Sequence, residues 1–122
     1  MAKPIWFSIA LVYTIFLAVL SFINVHNLPS YGSSFDDKIN HFGAYMVLTI
    51  IWVYYFKLKK VKKALLLVAL GAIIYGIIIE FLQKRINPLR VFDLYDILAN
   101  CVGVIFGTII VNYILKYKVK IN

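Results

Sequence analysis

Acidic side chains are scarce in this chain and confined. Only five of its 122 residues are Asp or Glu, and they fall within two short stretches, 36–37 and 80–96. Cysteine occurs once, as Cys101 inside an apolar run, so no internal disulfide can form and the redox compartment stays open. Two hydrolase signatures, His-Glu-x-x-His and Gly-x-Ser-x-Gly, are missing, which removes the most direct routes to a catalytic assignment. There is no internal repeat, low-complexity tract or polar linker, so the chain reads as one domain over 1–122.

Apolar side chains are plentiful instead. They make up 63% of the chain, where about half is usual for a soluble domain. They gather in four runs, roughly 5–23, 39–56, 64–79 and 97–115. Each approaches the roughly 18–20 residues a helix needs to cross hydrocarbon. Flanking polar residues extend the third run to Gln83 and begin the fourth near Tyr95. The expectation is an all-α membrane protein: a bundle of four transmembrane helices over about 5–23, 39–56, 64–83 and 95–115. Lys3 ahead of the first run suggests a signal peptide. With no small-x-small cleavage site after it, an uncleaved helix is the better reading.

The net charge of +8 is not a nucleic-acid signal, because the lysines sit at the ends of the apolar runs. Lys3, the 57–63 cluster and the tail Lys116, Lys118 and Lys120 supply nine positive charges and no negative one. The two other loops carry four positive and five negative charges. The positive-inside rule places the lysine-rich side and both termini in the cytoplasm. His41 lies sixteen residues before Lys57, Glu80 seventeen after Lys63, and Asn100 sixteen before Lys116. At about 1.5 Å per residue, each stands about 24–26 Å above those lysines, near the outer edge of the hydrocarbon. Three helices thus carry polar groups at one height.

The polar residues fall on shared faces. In the fourth helix Asp93, Asp96, Asn100, Gly103 and Gly107 lie at offsets 0, 3, 7, 10 and 14, a single stripe with polar groups above and Gly-x-x-x-Gly below. The plainer reading makes Asp93 an N-cap, Asp96 a dipole partner and Asn100 an interhelical hydrogen-bonding group. In the second helix Asp37 and His41 are four apart, with Lys38 alongside. An Asp–His pair orients an imidazole for proton transfer or metal binding. Against that, Ser34 and Asp37 have capping-box spacing, and a histidine at a membrane edge serves as an interfacial residue too. In the third helix Ala69, Ala72, Gly76, Glu80 and Gln83 form a stripe that is small below and polar above. Glu80 sits where the helix dipole disfavours an acid and where ionisable groups are rare; pairing with Lys84 is the local alternative. Arg90 offers bidentate contacts to a carboxylate or phosphate. Tyr45 and Tyr95 flank the layer as lesser candidates. The first helix has only Ser8, Thr14 and Ser21, each able to bond back to its own helix, and receives no functional role.

Three motifs in order resemble the VanZ-like family of small bacterial membrane proteins. They are Asp-Lys-x-x-His-Phe from Asp37 to Phe42, Glu-x-x-Gln from Glu80 to Gln83, and Arg-x-x-Asp-x-x-Asp-x-x-x-Asn-x-x-Gly-x-x-x-Gly from Arg90 to Gly107. The resemblance covers residues 37–107 and implies a multi-pass protein of the bacterial cytoplasmic membrane, in a family named for a member linked to resistance to the glycopeptide teicoplanin. It carries no settled biochemical activity.

The residues themselves suggest a pocket between the outer ends of helices two, three and four that binds a lipid or a lipid-linked envelope precursor. Asp37, Lys38, Gln83, Arg90 and Asn100 would contact the head group. A second reading is a membrane-embedded hydrolase or transferase acting on a lipid-linked phosphate, with His41, Glu80, Asp93 and Asp96 as catalytic or metal-binding groups. A third is a structural or partner-binding subunit whose polar layer clips the helices together. Gly76, Gly103 and Gly107 serve helix packing in every case. No cofactor or metal is specified, nucleic acid is excluded as a partner, and self-association into a homo-oligomer is open.

Overall fold

The computed structural model describes the backbone of residues 2–22, 34–86 and 94–121, and side chains over 3–22, 38–86 and 94–117. These residues form four helices: α1 (Ala2–Phe22), α2 (Ser34–Leu58), α3 (Ala64–Ile86) and α4 (Leu94–Ile121). No strand occurs among the described residues. All four helices hold spans long and apolar enough to cross a membrane. An isolated helix satisfies its own backbone groups, which is what hydrocarbon demands. Pro4 falls in the first turn of α1, where its missing N–H costs no helical bond. α2 begins five residues before its expected start at 39, and α3 runs three residues past Gln83. Beyond the hydrocarbon edge the helical backbone simply continues through the polar flank.

α2 packs against all three other helices, whereas α1 and α4 do not approach each other among the described residues. The pair α2–α3 therefore forms the middle of the bundle, with α1 on one side and α4 on the other. The α2–α4 interface is the closest, and glycine explains why. A Cβ on Gly103 would run into the carbonyl of Phe42. One on Gly107 would lie 2.8 Å from the Met46 carbonyl oxygen and 2.9 Å from Thr49 Cβ. Without those Cβ atoms the two backbones touch, as the Gly-x-x-x-Gly spacing predicts. Around this seam sit two small apolar cores: Tyr45, Leu48, Ala72 and Val104, and, nearer the lysines, Val53, Val68 and Val111. Many other large apolar side chains, such as Ile15, Leu66, Ile74 and Ile109, point outward. A bilayer accepts that surface and water does not.

The α2–α3 connection is a tight turn. Val61 N–H donates to the Phe56 carbonyl and Lys60 N–H to that of Lys57, each at 3.0 Å. This is a Schellman motif, and Lys60 takes its left-handed position at φ 59°. Lys63, whose carbonyl accepts the first bond of α3 from Leu67 N–H, is left-handed as well at φ 58°. A non-glycine residue held there costs about 1–2 kcal/mol. Both positions are lysines, so the turn keeps its charge at the expense of strain.

Candidate functional site

At the end of the bundle opposite this turn, the start of α2, the start of α4 and the ends of α1 and α3 converge. Lys38 and His41 are one turn apart on α2, and Asp96 and Asn100 are one turn apart on α4. Glycine contact brings the two pairs face to face. Lys38 Nζ lies 2.6 Å from Asp96 Oδ1. His41 Nε2 lies 3.7 Å from Asp96 Oδ2, and His41 Nδ1 lies 3.0 Å from Asn100 Oδ1. With the amide oxygen assigned toward the ring, Nδ1 carries a proton and donates it. Asp96 sits in the first turn of α4, where the helix dipole also favours its charge. Asp96 and Asn100 are both buried. Breaking such a buried pair by removing one partner typically costs about 3–5 kcal/mol, because the other charge is stranded.

α3 supports this cluster from beneath. A Cβ on Gly76 would lie 2.9 Å from Asn100 Nδ2 and 3.1 Å from the Tyr45 ring, so only glycine leaves the amide and the phenol room to sit side by side. One turn on, Glu80 is buried, and Gln83 follows, buried on the same stripe. Gln83 turns toward α1: its Nε2 donates to the Ser21 carbonyl oxygen at 2.6 Å. Ser21 belongs to the last turn of α1, whose carbonyls have no partner within the helix, so this bond caps α1 from a neighbouring element. Gln83 Oε1 is buried and has no hydrogen-bond partner among the described residues. An acceptor left in that condition costs roughly 1–3 kcal/mol.

Between α1, α2 and α3 a cleft of about 280 Å³ opens beside His41. Its polar lining comes from Ser21, Asn40, His41 and Gln83, and its apolar lining from Leu17, Leu20, Ala44 and Tyr45. Further toward the lysine turn, the same three helices enclose a second hollow of about 230 Å³, lined mainly by Leu48, Trp52, Phe56, Val68, Ala72 and Tyr75. The polar atoms around that hollow are engaged with one another. Trp52 Nε1 donates to Thr14 Oγ1 at 2.8 Å, Tyr75 Oη to the Thr14 carbonyl at 2.6 Å, and Thr14 Oγ1 to the Ala10 carbonyl at 2.7 Å.

The VanZ/LLP1 family profile matches residues 5–116, which takes in all four helices. This chain belongs to the VanZ/LLP1 family. An uncharacterized Schizosaccharomyces pombe protein, C11E3.10, is 31% identical over 75 residues, covering 62% of this chain and 46% of the relative. The chain thus spans about half the length of that curated relative. No solved structure matches the chain. Because that relative is a yeast protein, similarity alone does not assign this member to a bacterium.

In this VanZ/LLP1 member the sequence-derived residues divide into two groups. Lys38, His41, Asp96 and Asn100 form one cluster with Gly76 beneath it, and Gln83 joins His41 at the cleft. Glu80 is buried on the Gln83 stripe. Asp93 and Arg90 lie outside the described residues, as does the side chain of Asp37. The imidazole faces Asn100 and Asp96 on α4. Among the described residues no three His, Cys, Asp or Glu side chains are grouped to hold a metal ion.

The described cleft lies between α1, α2 and α3. The hydroxyls of Ser8, Thr14 and Ser21 do bond back to the carbonyls of Pro4, Ala10 and Leu17. What α1 brings to the site is a wall, through Leu17 and Leu20, and the Ser21 carbonyl. One signal for this was present: Thr14, Leu17 and Ser21 lie at offsets 0, 3 and 7, on one face. Of the two flanking tyrosines, Tyr45 lines the cleft and Tyr95 is 70% exposed.

Proposed function

We propose that this chain is a multi-pass protein of a bacterial cytoplasmic membrane that binds the head group of a membrane lipid or lipid-linked envelope precursor at its outer face. The lysine-rich turn, with the N and C termini on its side of the bilayer, fits a cytoplasmic location by the positive-inside rule. The polar end then faces outward, where glycopeptides act on peptidoglycan precursors. That fits the family's link to teicoplanin resistance.

The observation that carries this reading is the cleft beside His41. One side is polar, with Asn40, His41 and Gln83, and the other is apolar, with Leu17, Leu20 and Tyr45. A mixed lining at the hydrocarbon edge suits a molecule that is itself polar at one end. The test is native mass spectrometry and lipidomics on the full chain purified in mild detergent. An anionic or isoprenoid lipid should co-purify in excess of its membrane abundance, and the excess should fall in His41→Ala. A lipid profile identical to that of the bulk membrane overturns the proposal.

A structural role is the second reading, favoured by the Lys38–Asp96 pair, buried at its Asp96 end, that joins α2 to α4. It predicts that Asp96→Asn loses folding and cellular function in parallel. If the variant stays folded yet loses function, that reading fails.

A further inference from the structure

We infer that the seam between α1, α2 and α3 takes an amphiphile in two parts. A head group carrying hydroxyl or ammonium donors sits in the cleft beside Gln83, and a hydrocarbon chain runs down past Tyr75 and Trp52. The inference rests on the head-group reading above and narrows it to a chemical class.

Gln83 sets the head-group chemistry. Its Nε2 is held by the Ser21 carbonyl, and reversing the amide would set two oxygens against each other. The orientation is therefore fixed, which leaves Oε1, buried and unpartnered among the described residues, to accept, beside the second N–H of Nε2. A ligand satisfies Oε1 only by donating. The charged groups nearby are engaged: Lys38 holds Asp96, and His41 Nδ1 is bonded to Asn100. Among the described residues no lysine or arginine lines the cleft. A bare anionic head group would leave the Gln83 Oε1 acceptor unmet, while a glycerol, sugar or ethanolamine group would satisfy it.

The second hollow sets the tail. It lies between the same three helices, further toward the lysine turn, and from His41 to Trp52 the rise of α2 is about 16 Å. The polar groups of Thr14, Trp52 and Tyr75 are bonded to one another, so the hollow presents carbon to an occupant. Its lining includes Gly71, where an added Cβ would meet nothing within 4 Å.

Trp52 reports on this path. In a Trp6→Phe background it is the remaining tryptophan of the chain. The protein is placed in phosphatidylcholine nanodiscs, and trace lipids with brominated acyl chains are added as quenchers. Two pairs separate donors from charge: phosphatidylglycerol against phosphatidylmethanol, both anionic, and phosphatidylethanolamine against phosphatidylcholine, both zwitterionic. The donor-bearing member of each pair should quench Trp52 several-fold more than its partner. Gln83→Leu should remove that difference. Gly71→Leu, whose Cβ meets nothing within 4 Å and whose side chain is directed to the hollow, should remove the excess quenching while leaving the bundle folded.

Equal excess quenching by both anionic lipids overturns the donor inference and leaves head-group binding intact. Equal quenching by all four lipids overturns both. Excess quenching that survives Gln83→Leu overturns the role of Gln83, and excess that survives Gly71→Leu overturns the tail path.

Discussion

At His41 the two ring nitrogens face Asn100 and Asp96 of α4, while the ring itself forms part of the cleft lining. An occupant of the cleft would thus touch a group already tied to the Lys38–Asp96 pair. Replacing Asp96 by Asn keeps the shape and removes the charge that lies 2.6 Å from Lys38 Nζ. Stability in detergent, followed by helical circular dichroism during a denaturant titration, should fall by about 3 kcal/mol, at the low end for a broken buried pair because Lys38 keeps some exposure. The double variant Lys38→Met/Asp96→Leu should recover most of that loss, since no charge is then stranded. A double variant as unstable as Asp96→Asn would show that packing, not charge, sets the cost. Much at this scale was legible in the sequence. Asp96, Asn100 and His41 are polar residues at helical spacing within apolar runs, and such residues must find partners. The Ser21 carbonyl was not legible, because every residue has one and only the fold decides which is left without a bond.

Among the helices, glycine separates close contact from open space. Gly103 lies against the Phe42 carbonyl on the α2–α4 seam, whereas Gly71 has nothing near it. Alanine at the two positions should therefore act in opposite directions. Gly103→Ala must push α4 away from α2 and should destabilise by about 1–3 kcal/mol, as overpacking does. It should also loosen the His41–Asn100 bond above it. Gly71→Ala should be neutral or stabilise by up to about 1 kcal/mol, from helix propensity alone. The same denaturant titration reads both, and a loss of stability at Gly71 would count against the hollow described beside it. The Gly-x-x-x-Gly spacing announced a close contact; its partner, α2, had to come from the fold. The left-handed conformations at Lys60 and Lys63 were also hidden, because lysine carries none of the preference that glycine or asparagine would have shown there.

For the whole molecule, charge asymmetry leads to an orientation that labelling tests. In a Cys101→Ser background, Lys60→Cys should react with a membrane-impermeant maleimide only after cells are opened. Asn27→Cys should react in intact cells. The reverse pattern would place the polar end in the cytoplasm and remove the basis for an outer-face ligand. The number of helices followed from apolar run length, because hydrocarbon thickness allows few alternatives. The side of the bundle on which the cleft opens did not, since it depends on how α1 leans against α2 and α3.

α2 touches every other helix, yet its span is the least apolar of the four. Its character bears on how the protein is made. A lone span with Lys38 near its start gains least from hydrocarbon and has no Asp96 beside it, because α4 is synthesised two spans later. Residence of α2 in the bilayer is then provisional until α4 arrives. A chain truncated after α3 should insert α2 less completely than the full chain does, as scored by glycosylation tags placed on either side of it. The residues that shape the polar end would in that case also decide when the newly made protein is committed to the membrane.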